Sequence, residues 1–227
     1  MELVELEKNI PEPSGLRLVA DNKEPHQFPI IQKQFVNFIF FRVDPEWRKL
    51  DAEKKALYKQ QFEEVYKRYD KELLLFSYSL VGFDSKADLM FWRIGDSLDL
   101  IQEMTAALYR TDFGSYIETS NNYLSVTKKR MFISPEEDPS LEDRYHVVAG
   151  GKKYHFVFPS NKNRDWYEKS GEEREKLIEE QFMVGAKFRN IKIHLTHAFS
   201  FGEQEFIVSF ETDEPKDFLA LAEELSE

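Results

Sequence analysis

Cysteine is absent from all 227 residues. That one absence excludes disulfides, thiolate-held zinc, thiol nucleophiles and iron–sulfur clusters together. Long apolar runs are absent too: no stretch approaches the roughly 18 residues that a membrane-spanning helix requires. The chain opens MELVELEKNI, with neither a basic stretch nor an apolar one, so a cytoplasmic protein without a membrane span is expected. Positive charge is in short supply, 31 Lys and Arg against 42 Asp and Glu, a formal net charge of −11. The basic residues are scattered, which argues against a phosphate-tracking surface and against nucleic acid as a partner. Neither an HExxH helix nor a glycine-rich phosphate loop occurs.

What remains is an ordinary globular composition, 41% hydrophobic and 32% charged, with 20 Phe and 15% aromatic residues. Rings in that number fill a core or line a pocket. The length suits one large domain or two small ones that share a core.

Residues 1–33 contain Pro11, Pro13, Pro25 and Pro29 and little periodicity, and read as an arm with one short strand at Leu16–Ala20. Regular structure begins at Gln34. Phe35–Val43 is aromatic and β-branched, as a buried strand is. Asp44-Pro45 supplies a helix cap and a first-turn proline, and Leu50, Leu57, Phe62, Val65 and Tyr69 follow at helical spacing. Strands at Leu73–Val81 and Asp88–Ile94 flank a turn at Gly82–Ser85. Gly95-Asp96-Ser97 opens a second helix, and Tyr123–Thr127 reads as a further strand.

After an acidic linker at 134–151 the order recurs: a strand at Tyr154–Phe158, a long helix within Asp165–Phe188, strands at Ile191–His197 and Glu205–Glu211, and a helix opened by Thr212-Asp213-Glu214-Pro215. From first to third strand is roughly 50 residues in each half, the signature of an internal repeat. The sequence therefore predicts an α+β fold of two tandem ferredoxin-like β-α-β-β-α repeats, 34–133 and 152–227, with their sheets stacked into a barrel.

Five histidines are present: His26, His146, His155, His194 and His197. His194 and His197 have the look of a metal pair, but on a strand positions i and i+3 face opposite ways, so two hydrogen-bonded strand histidines is the stronger reading. The Glu/Lys run Glu168–Glu180 is a solvated helix face and Gly150-Gly151 a turn. Gln181 breaks its pattern. It falls on the apolar stripe of Leu177, Ile178, Phe182, Gly185 and Phe188, where an amide needs a partner across to a neighbouring element or a pocket to face.

Phe158-Pro-Ser-Asn-Lys162, Arg164-Asp165-Trp166-Tyr167, and a charged helix ending Val184-Gly185 resemble the central stretch of the chlorite dismutase superfamily, which includes the coproheme decarboxylases. The closing Gln204-Glu205-Phe206…Phe210-Glu-Thr-Asp-Glu-Pro215 is similar to that family, as are Phe40–Trp47 and Tyr78–Gly82, so the likeness spans about 34–227. It implies two ferredoxin-like repeats per chain, a ring of five chains, and a haem in the C-terminal half between sheet and helices.

It also implies where the chemistry sits, and this sequence departs at each place. The proximal iron ligand is a histidine at the position of Gln181, and glutamine is a weak ligand for haem iron. Chlorite-degrading members carry an arginine on the next strand and decarboxylases a glutamine. Counting onward gives His194 there, and a one-residue shift gives Ile193. The oxidisable tyrosine of the decarboxylases is Phe158, while Lys162 and Trp166 are retained. The cofactor-binding residues expected are thus Gln181, His194, Lys162, Phe158 and Trp166, with His194 the candidate metal ligand. Two readings stand. One is a haem or porphyrin protein with altered ligation and peroxidase-like or porphyrin-related activity, unable to degrade chlorite. The other is a non-catalytic, haem-free oligomer that holds another small molecule or serves as a scaffold. A cofactor-independent monooxygenase reaction is a third, with no acid–base pair in the sequence to support it.

Overall fold

The computed structural model describes residues 33–127, 147–198 and 203–225, apart from the side chains of Glu175, Ile178, Glu179, Gln181, Phe182 and Ala186. The expected N-terminal arm with its short strand, and most of the linker, lie outside these residues.

The first repeat begins with β1 (Phe35–Val43), the aromatic run read from the sequence. Asp44 does act as a cap, accepting from the Glu46 N–H at 2.7 Å, but what it caps is a single 3-10 turn, Pro45–Lys49. A second cap, Asp51, accepts from the Lys54 N–H and starts α1 (Ala52–Tyr69). The aspartates thus divide what the sequence suggests as one helix. Next come β2 (Leu74–Ser79) and β3 (Leu89–Gly95), joined through a turn in which Gly82 adopts φ +86°, a conformation that favours glycine. Ser97 caps α2 (Leu98–Tyr109), and β4 (Ile117–Val126) closes the repeat.

The second repeat comprises β5 (Tyr154–Ser160), a one-turn helix α3 (Arg164–Glu168), α4 (Gly171–Lys187), β6 (Lys192–His197), β7 (Phe206–Thr212) and α5 (Pro215–Glu224). The expected long helix is broken before Gly171. There Ser170 and Glu173 form a reciprocal capping box that starts α4 afresh.

The seven strands among the described residues form one antiparallel sheet in the order β2-β3-β1-β4-β6-β7-β5. The order β2-β3-β1 of the first repeat recurs as β6-β7-β5 in the second, which is the duplication read from the sequence. The halves join edge to edge at one pair, Val126 opposite His197. They also meet face to face. Val36, Phe38, Met90, Trp92 and Ile94 of the first repeat pack with Val147 of the linker and with Val157 and Ile207 of the second repeat, and the Tyr78 ring on β2 comes within 5.4 Å of the His155 ring on β5. The sheet therefore curls until its two end strands approach, enclosing an inner face. The helices lie on the outer face.

The outer face of the first repeat carries a core packed under α1 and α2. Ile39, Phe41, Leu75 and Phe91 lie under Phe62 and Tyr66 of α1 and under Ile101, Met104 and Leu108 of α2, all buried. The buried Arg93 guanidinium donates to Asn37 Oδ1, the Ile101 carbonyl and Thr105 Oγ1, tying β3 to β1 and α2. Among the described residues no helix is long and apolar enough to cross a membrane.

Candidate functional site

Strand alternation divides the second repeat into two environments. Phe156, Phe158, Ile193, Leu195, Val208 and Phe210 point outward. His155, Val157, His194, Thr196, Ser209 and Glu211 point inward. The registers set them in rows, Phe156–Phe210–Ile193 and Phe158–Val208–Leu195 on the outside.

α5 covers the first outer row. Phe218 stacks on Phe156 at 4.0 Å between centroids and 9° between planes, with Phe210 beside it at 5.3 Å. The second row is left open: Phe158 is 45% exposed, Leu195 41%, and Ile193 in the neighbouring row 38%. Large apolar side chains left open side by side are the informative exception to burial. The equivalent face of the first repeat has no such opening.

The turn after β5 frames this surface. Asn163 caps α3 through the Trp166 N–H at 3.0 Å, which fixes the Trp166 ring beside Lys162. The Lys162 ammonium sits 4.3 Å from the centre of that ring and 5.9 Å from that of Phe206. Burial pulls its pKa below the ordinary lysine value, and Glu205 partly opposes that. Of the expected set, the structure brings Lys162 and Trp166 into contact, while Phe158 packs against Phe210 and Phe218.

Gln181 lies within α4, one turn before Gly185, and its side chain is outside the described residues. The close approach of α4 to the sheet is at Gly185, where an added Cβ would stand 2.9 Å from Ile193 Cδ1. Ile193 is therefore the β6 residue that meets this helix. His194 is turned to the inner face, and that corrects the expectation of His194 as an iron ligand opposite Gln181. A strand has period two, so the one-residue shift exchanges the outer face for the inner one.

Inside, His194 Nε2 lies 2.7 Å from Glu211 Oε1, with the two residues 7% and 0% exposed. The Glu211 carboxylate also accepts from the Gly150 N–H at 2.8 Å and the Lys152 N–H at 3.4 Å. Burial raises its pKa, but the bond to His194 and its charge, with the Gly150 N–H, outweigh burial and hold it below the ordinary carboxylate value. His155 stands among Trp92, Phe38 and Tyr78, at 4.4, 5.4 and 5.4 Å between centroids. Its two ring nitrogens and Trp92 Nε1 are buried and find no hydrogen-bond partner among the described residues. Burial pulls the His155 pKa down to about 3, so the ring is neutral. Local pattern carries no signal for this cluster, since its members come from six strands. Among the described residues no three His, Asp or Glu side chains are placed to share a metal ion.

A haem needs an apolar wall for its macrocycle and a ligand for its iron. The outer face supplies the wall. Of the described histidines, the one on that face is His197, at the far end of β6, with its ring against Phe206 at 5.0 Å. The described residues therefore fit the organic part of the group and do not reproduce its usual iron ligation.

Comparison with known proteins places this arrangement. The chain is 25% identical over 186 residues to a chlorite dismutase from Ideonella dechloratans, covering 79% of this chain and 65% of that one. It is 25% identical over 159 residues to a coproheme decarboxylase from Staphylococcus carnosus, covering 65% and 63%. It thus spans a little under two thirds of the length of either relative. In fold it is similar to a mutant chlorite dismutase from Candidatus Nitrospira defluvii, with TM-score 0.76 and 24% identity over 86% of this chain and 83% of that one. It is also similar to a haem-binding protein from Thermus thermophilus, with TM-score 0.74 and 21% identity over 86% and 83%. The sequence model of the chlorite dismutase family matches residues 32–227, and the chain belongs to that family.

Proposed function

We propose that this protein binds a flat, carboxylate-bearing macrocycle of the porphyrin type on the outer face of its second repeat, without the iron ligation of its haem-dependent relatives. The observation that carries this is the open row Phe158–Leu195 with Ile193. In the first repeat helices bury Ile39, Phe41, Leu75 and Phe91 on the corresponding face. A duplicated fold that packs helices over one face and leaves its counterpart open has a use for the opening. A relative named for coproheme supports that class of occupant, and Lys162 on Trp166 supplies a cation for its acidic edge.

Chlorite degradation is not part of this proposal. The β6 position that meets α4 is Ile193, its neighbour is His194, and neither replaces an arginine that would hold an anion. Phe158, in place of tyrosine, cannot lose a proton or form a phenoxyl radical. A porphyrin-related or peroxidase-like activity with altered ligation is the reaction class that remains. The resemblance further implies a ring of five chains.

One observation favours a second reading. His194 is committed to Glu211 on the inner face, which suits a haem-free family member that acts as a scaffold or holds another apolar molecule. Titration with metal-free protoporphyrin and with haemin separates the two. A red-shifted Soret band with either probe is the result the porphyrin reading expects, and an unshifted band with both leaves the haem-free scaffold. Oxygen release from chlorite by the purified protein would contradict both readings.

A further inference from the structure

Lys162 is on a turn, and a lysine on a turn is ordinarily free to wander. Here the turn is fastened at both ends to one residue, Glu205, just before β7. The Lys162 N–H donates to Glu205 Oε2 at 3.0 Å. In return, the Glu205 N–H donates to Asn161 Oδ1 at 2.8 Å and to the Ser160 carbonyl at 3.3 Å. The same carboxylate pushes the Tyr167 pKa above its ordinary value. Tyr167 is itself held from behind, because Arg174 of α4 donates to its carbonyl at 2.9 Å and to that of Lys169 at 3.0 Å. Glu205 therefore ties the end of β5 and the Lys162 turn to the start of β7. Its Oε2 accepts from the Lys162 N–H, while the Lys162 ammonium is stacked on Trp166.

We propose that Glu205 is a positioning residue that fixes the Lys162 turn, so that the Lys162 ammonium meets a carboxylate at the edge of the open apolar face. This rests on the porphyrin-type reading above and adds how that site selects an acidic ligand. Glu205 does not touch the ligand; it acts through Lys162. Preorganisation of this kind raises affinity by lowering the ordering cost on binding.

The test compares metal-free protoporphyrin with its dimethyl ester, which has the same ring and no free carboxylates, by absorbance titration in one mixed solvent. Wild type is expected to prefer the acid by roughly tenfold, the worth of one charge-assisted hydrogen bond. Lys162→Met should remove the preference. Glu205→Ala should remove most of it and leave ester affinity unchanged. Glu205→Gln, whose amide oxygen can still accept the Lys162 N–H, should retain more of it than Glu205→Ala. If Glu205 acted only through its negative charge, both substitutions would raise the preference for the acid, and that result overturns the proposal. So does a Glu205→Ala protein with the wild-type preference, or one that loses acid and ester equally. A wild type that binds both forms alike removes the carboxylate contact and the clamp with it, while the apolar face stands. A wild type that binds neither removes the porphyrin reading itself.

Discussion

At the scale of single residues, the two inward histidines behave in opposite ways. The His155 ring nitrogens find no hydrogen-bond partner among the described residues, and burial keeps the ring neutral, with its pKa pulled to about 3. An exposed histidine titrates near 6.5. Between those values the unfolded chain binds the extra proton and the folded chain does not, so stability rises with pH across the window. As pH falls from about 6.5 towards 3 the protein loses up to about 1.4 kcal/mol per unit. Glu211, with its pKa held low, adds stability above the ordinary carboxylate range that is lost in acid, so it acts in the same direction. Urea denaturation between pH 4 and 7 checks this, and His155→Phe should flatten the slope. It should cost little at pH 7, because it removes two unsatisfied buried atoms. His194→Ala differs: it leaves the Glu211 carboxylate buried without its imidazole, and a loss of about 3 kcal/mol is expected in the same assay. Neither change touches the outer face, so porphyrin affinity should be unaffected by either. The sequence could show that His194 and His197 face opposite ways. It could not show which of them faces the helices, because the turn between Phe188 and β6 can slip by one residue without any change in local pattern.

At the scale of elements, caps decide where helices begin, and they were only partly legible. Phe35–Val43 was readable as a strand from its composition, end to end. Asp44-Pro45 was readable as a cap, but the presence of a second cap at Asp51 turns the first into a separate 3-10 turn. The Ser170–Glu173 capping box likewise divides the helix expected within Asp165–Phe188. β4 begins at Ile117, six residues before the expected Tyr123. Its polar stretch Glu118–Asn122 resembles a loop, yet pairing with β1 makes it strand. Pairing between distant segments is what local propensity does not carry. The capping box gives a direct check: Ser170→Ala should cost about 1 kcal/mol and fray the first turn of α4. Amide exchange at Glu173 and Arg174 should rise, with that at Val184–Lys187 unchanged.

At the scale of the whole molecule, a duplicated unit has specialised. Both repeats keep the same strand order, but the first fills its outer face with α1 and α2, and the second leaves Phe158, Ile193 and Leu195 open beside Lys162 and Trp166. The repeat was legible in the sequence because strand and helix periods recur in order. The asymmetry was not, because Phe and Leu look alike whether a helix covers them or not. If the ring implied by the family holds, light scattering should give a mass near five chains; a monomer would count against that assembly and leave the fold intact. On the proposed reading the open outer face is a ligand site and the inner polar cluster is not. Titrating metal-free protoporphyrin into wild type, Leu195→Asp and His194→Ala, with Soret absorbance as the readout, decides it. The account predicts a red-shifted band for wild type and His194→Ala alike, and an affinity at least roughly tenfold weaker for Leu195→Asp, since a charge would then be buried against the ring. Undiminished binding by Leu195→Asp, or binding abolished by His194→Ala in a folded protein, would contradict it.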